Sequence, residues 1–189
     1  RGWANKILHN VKLFDEFSNY FDNNDKFTLG VCNGCQTLSN LNSIIPGSDH
    51  WPSFLNNQSE RFESRIVMIN INKSNSIFTT DMQNSKLPIV ISHGEGRASL
   101  SKEQFKILSK NDQILMNYID DSGNSTNEYP FNPNGSFEGI AGVSSVNGNV
   151  TLMMPHPERY TNICQFPVNS DDNTSPWLKF FYNARMHLK

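Results

Sequence analysis

The chain has 189 residues, enough for one domain with a core of its own. A formal charge of −2 gives no electrostatic case for nucleic acid or an anionic membrane, and no apolar run approaches a membrane span or a signal peptide. Three cysteines, two of them within one turn, do not make a disulfide framework, so a reducing, cytoplasmic setting is expected.

Taken in order, Trp3, Ile7, Val11, Phe14, Phe17 and Phe21 recur at helical spacing and predict one helix over 3–21 with its aromatic stripe in the core. The brief apolar run Phe27 to Val31 predicts a buried strand, and Gln36 to Ile45 a helix that Pro46-Gly47 stops. Between them, Gly30-Val31-Cys32-Asn33-Gly34 puts a cysteine at a sharp strand-to-helix turn, where Gly30 and Gly34 let the backbone close without side-chain collisions. A helix N-terminus favours the thiolate, and the Asn33 backbone N–H would face the oxygen of a tetrahedral intermediate. Cys32 is therefore the expected nucleophile, and Cys35, a turn into the helix, a packed residue. Cys-x-x-Cys also serves zinc and dithiol redox centres, but zinc needs two further ligands and only Cys164 and scattered histidines remain. A purely structural pair of buried cysteines would not need the flanking glycines.

Residues 46–65 read as a loop, in which Glu60 and Arg61 are either substrate partners or solvated charges. Strands are predicted over Arg65 to Ile71 and Ile89 to Ile91, the second running into Ser92-His93-Gly94-Glu95-Gly96-Arg97. A polar, glycine-spaced cluster at a strand end is where sites form in open α/β sheets. As a phosphate loop it lacks the lysine and the glycine spacing, and His93 reads equally as a plain loop histidine.

Ser101 to Ser109 is a helix with a Ser101/Gln104 capping box, Gln113 to Ile119 a strand, and Tyr129 to Ser136 a turn-rich loop. Ile140 to Val146, Asn147-Gly148 and Asn149 to Met154 predict a hairpin, so the sheet is mixed. Its second strand runs into Pro155-His156-Pro157-Glu158-Arg159. In an extended segment His156 and Glu158 face the same way, a base and an acceptor to fix its tautomer, which Cys32 requires if sulfur and imidazole converge. Ser175-Pro176 opens a last helix with Trp177, Phe180, Phe181 and Ala184 on its apolar face and Arg185, His187 and Lys189 at the favourable end.

With the cysteine turn and the Pro155 to Arg159 segment together, the sequence resembles the class I glutamine amidotransferases, which use Cys, His and Glu in that chain order. Ile45-Pro46-Gly47, Trp51-Pro52, Arg61-Phe62-Glu63, Ser92 to Arg97, Asn132 to Ser136 and Ser175-Pro176-Trp177 are similar to the C-terminal glutaminase domains of single-chain phosphoribosylformylglycinamidine synthases, over nearly the whole chain. The resemblance implies an α/β, flavodoxin-like three-layer sandwich over 1–189. It also implies a Cys32, His156, Glu158 triad that hydrolyses L-glutamine through a γ-glutamyl thioester, with Gln36 and His93 as candidate glutamine-binding groups. Ammonia would pass to a synthetase domain of the same polypeptide, where ATP and magnesium act; these residues themselves are expected to hold no metal or cofactor. The family's domain has a first strand and glycine-rich loop before the helix at Trp3. The chain, opening on Arg1-Gly2, thus reads as a piece of something longer, N-terminally truncated and of low activity alone. A cysteine peptidase of related fold and a non-catalytic interaction domain are the rival readings.

Overall fold

The computed structural model describes residues 2–165 and 174–188; Lys189, counted above among the charges closing the last helix, lies outside them. Helices α1 (Gly2–Leu8) and α2 (Val11–Asp22) replace the single predicted helix. The Asn10 side chain accepts from Leu13 N–H at 3.1 Å and starts a new helix there, so the expected stripe does not stay on one face. Ile7 and Phe21 are buried, whereas Trp3 and Val11 are 67% and 78% exposed.

Strand β1 (Thr28–Val31) leads into α3 (Asn33–Ser39), which is shorter than expected and is followed by a separate 3-10 turn at Asn42–Ile44. The Asn40 side chain bonds the Gln36 carbonyl at 2.6 Å, a local alternative to continuing the helix. The predicted loop contains a short strand β2 (Ser53–Leu55), and the chain continues through β3 (Glu63–Ile71), β4 (Lys86–His93), β5 (Arg97–Ser99) and α4 (Lys102–Lys110). The capping box of α4 is present as expected, with both Ser101–Gln104 bonds formed. Strands β6 (Ile114–Tyr118), β7 (Ile140–Ser144) and β8 (Val150–Met153) and helix α5 (Pro176–His187) complete the elements.

Six strands form one sheet in the order β1-β8-β7-β6-β3-β4, and β2 pairs with β5 in a second, two-stranded one. β1 and β8 are parallel, with Val31 opposite Met153; the other pairs of the large sheet are antiparallel, including the expected β7–β8 hairpin. Alternation along β8 sends Leu152 to one face, with Ala4, Ile7, Phe21, Leu38 and Leu108 of α1 to α4, and Met153 to the other, with Phe78, Trp177 and Phe180. Helices thus cover both faces, the three-layer arrangement anticipated. The sheet curls until its far edge meets the segment after β8: His156 N–H bonds Val90 O at 2.8 Å, and the Trp177 indole bonds Pro88 O at 2.8 Å. Among the described residues no helix is long and apolar enough to cross a membrane.

Candidate active site

Two parallel neighbours carry the chemistry. Because β1 and β8 run side by side in register, their C-terminal ends release Cys32 and, three residues beyond Met153, His156 at the same end of the sheet. Cys32 leaves the ladder with its N–H still bonded to Met153 O at 2.9 Å and then turns at φ 52°, ψ −106°, left-handed backbone imposed on a non-glycine residue. A side chain at Gly30 would put its Cβ 2.5 Å from Leu38 Cδ1 and 2.9 Å from the Gly34 carbonyl, so the first flanking glycine is required. The second is not: among the described residues nothing lies within 4 Å of a Cβ at Gly34. Cys35 is fully buried in the core, as expected, and all three cysteines are free thiols.

The Cys32 thiol is half-buried and donates to Ser92 O at 3.7 Å. Burial raises its pKa above the ordinary thiol value, against the lowering effects of the Asn33 N–H and the Arg159 charge; the nearby Glu158 carboxylate raises it further. The helix N-terminus therefore does not by itself hold a thiolate here, contrary to the sequence expectation, because the site is shielded from water.

His156 Nδ1 and Glu158 Oε1 meet at 2.6 Å. Their route is not the extended segment foreseen: Pro157–Tyr160 is a 3-10 turn, and it folds the carboxylate back onto the ring. The imidazole is buried, its Nε2 has no hydrogen-bond partner among the described residues, and the Glu158 side chain is 47% exposed. Arg159 Nε lies 3.9 Å from the same carboxylate oxygen. Cys32 and His156 are tied to alternate residues of strand β4, the sulfur to Ser92 O and the His156 backbone to Val90 O.

Gln36 reaches from α3 to Glu95 O with its Nε2 at 2.6 Å, bringing the elbow helix onto the turn after β4. His93 points into the protein beneath that turn, 3% exposed, with neither ring nitrogen bonded among the described residues. Burial lowers its pKa to about 4, and the proximity of His156 contributes in the same direction. Glu60 and Arg61 are both exposed. A concavity of about 530 Å³ lined by Gln58, Arg61, Glu63, Tyr129 and neighbours includes none of Cys32, His156 and Glu158. Among the described residues no three His, Cys, Asp or Glu side chains gather as metal ligands would. Sequence reasoning placed Ser92 in the strand-end cluster but could not see its carbonyl accepting from the Cys32 thiol, and it missed Asn57, whose buried amide bonds the main chain of the turn after β4 and leaves no motif.

This arrangement is a shielded thiol at a strained turn beside a histidine–carboxylate pair, suited to nucleophilic attack on a carbonyl carbon. The model of the CobB/CobQ-like glutamine amidotransferase domain family matches residues 1–188. Among solved structures, that of PurLQS from Thermotoga maritima is 27% identical with a TM-score of 0.59, over 85% of this chain and 61% of that one. A putative GMP synthase subunit from Thermoplasma acidophilum is 10% identical with a TM-score of 0.51, over 96% and 67%, a likeness of fold alone.

Proposed function

Because the chain belongs to the CobB/CobQ-like glutamine amidotransferase domain family, we propose that it is the glutaminase part of a phosphoribosylformylglycinamidine synthase, with Cys32, His156 and Glu158 as its triad. The reading rests above all on the 2.6 Å His156–Glu158 pair delivered by β8 beside the Cys32 turn at the end of β1. The likeness to PurLQS supports the choice of enzyme within the family.

His156 takes the Cys32 thiol proton, a step the site requires because burial keeps the resting group a thiol. The sulfur attacks the side-chain carbonyl carbon of glutamine, and the Asn33 N–H stabilises the oxyanion. The C–N bond breaks as His156 returns its proton to the leaving nitrogen, giving ammonia and a γ-glutamyl thioester. Water, deprotonated by His156, attacks the thioester; glutamate leaves, and the proton goes back to sulfur. Glu158 holds the Nδ1–H and balances the imidazolium charge. Gln36, on the elbow helix and bonded to Glu95 O, is the candidate glutamine contact; His93, buried beneath the same turn, would act on substrate through the shape of that turn. The ammonia serves a synthetase partner that uses ATP and magnesium to aminate formylglycinamide ribonucleotide; these cofactors bind there, and no step above uses them.

Incubation with glutamine is expected to release glutamate and ammonia, and an electrophilic glutamine analogue to label Cys32. Cys32→Ser removes labelling and lowers turnover by roughly 10³-fold or more, and His156→Ala lowers it about 10²–10⁴-fold. Peptide cleavage without any reaction toward glutamine would overturn the assignment.

A further inference from the structure

Every described hydrogen bond of one buried carboxamide goes to main-chain atoms, two of them at the end of β4 and in the turn that follows it. Asn57 is 1% exposed. Its Nδ2 donates to Arg61 O at 2.9 Å and His93 O at 2.8 Å, its Oδ1 accepts from Gly96 N–H at 3.0 Å, and its own N–H donates to Gly94 O at 2.9 Å. A second buried amide, Asn134, grips the same turn from the other side, donating to Gly96 O at 2.8 Å. The turn so held supplies Glu95 O to Gln36, directly follows Ser92, whose carbonyl receives the Cys32 thiol, and packs onto the His93 ring, which leaves space only for glycine at 96.

A turn built from Gly94, Glu95 and Gly96 has wide conformational freedom, so its single shape has to be imposed from outside. Asn57 imposes it with two side-chain bonds, to His93 O and from Gly96 N–H, and with its own N–H to Gly94 O, and leaving any of those buried groups unpaired is costly. Cys32 is placed by other means, through the β1–β8 ladder and the start of α3. The backbone of the nucleophile and the shape of the turn therefore have separate supports, with the thiol contact to Ser92 O lying between them.

We propose that Asn57 is a positioning residue that holds the 93–96 turn in the shape that receives glutamine, setting KM while leaving the chemistry at Cys32 unchanged; this rests on the glutaminase reading above. With the turn released, only a fraction of molecules present the receptive shape, and apparent affinity falls by that fraction.

Asn57→Asp keeps the acceptor for Gly96 and turns an oxygen toward two carbonyls; Asn57→Ala is the second variant should the aspartate not fold. Both are assayed in the full-length protein for glutamine kcat and KM, for the rate at which iodoacetamide alkylates Cys32, and for thermal midpoint. Expected is a KM raised about tenfold or more with kcat within about threefold and alkylation unchanged. An unchanged KM, or a fall in kcat and alkylation that tracks the thermal midpoint, overturns the proposal and leaves Asn57 a stabilising residue. Failure of the wild-type protein to hydrolyse glutamine would instead remove the reading beneath it.

Discussion

At the scale of single residues, the two glycines of the nucleophile turn are chemically identical and physically unlike. Gly30→Ala drives a methyl into Leu38 and the Gly34 backbone and is expected to cost about 1–3 kcal/mol. Gly34→Ala meets open space within a helix and should be neutral or stabilising by up to about 1 kcal/mol; paired denaturant titrations check the contrast. His93 makes a prediction about pH. Its folded pKa, about 4, lies below the ordinary 6.5, so between those values the unfolded chain takes up a proton that the folded chain refuses. Stability is full above pH 6.5 and falls as pH drops toward 4, by about 3 kcal/mol at this residue. His93→Gln, which does not titrate, should show a flatter acid limb when urea midpoints at pH 7 and pH 4.5 are compared. Cys32 and His156 could be singled out in the sequence because each sits in a distinctive covalent setting, a glycine-flanked cysteine and a proline-flanked histidine. The raised thiol pKa was not legible, since it comes from burial by residues distant in the chain.

At the scale of elements, long periodic or well-punctuated segments could be read directly. The α4 capping box and the Asn147-Gly148 hairpin formed where the sequence put them, the second with Gly148 at φ 78°. The first helix failed because apolar period alone cannot see a competing cap. Asn10 breaks the run by taking the Leu13 N–H, and Asn10→Ala is expected to cost about 1 kcal/mol, measured by chemical denaturation, while making α1 and α2 more nearly continuous by circular dichroism. Strands β2 and β5 escaped notice for a different reason: three residues each are too few to show alternation, and they exist because they pair with each other across the intervening β3–β4 hairpin. The 3-10 turn under Glu158 likewise follows from Pro157 opening a turn, where the extended reading had it stiffening a strand.

At the scale of the whole molecule, the site depends on the sheet curling until β4 meets the chain after β8. Trp177, fully buried on α5, packs on one face while its indole fastens Pro88 of β4. Trp177→Ala should therefore lose about 3–5 kcal/mol of stability, read as a lower thermal midpoint, and should lower glutaminase turnover at temperatures where the protein remains folded, since β4 also carries Ser92 and His93. The sequence announced a mixed sheet between helical layers, but the curl is a product of packing on both faces at once and no local pattern encodes it. The closing bond between His156 and Val90 has a temporal meaning too. Cys32 is synthesised well before His156, so on a ribosome-bound polypeptide the turn at Cys32 waits for residues 156–158 to emerge and dock on β4.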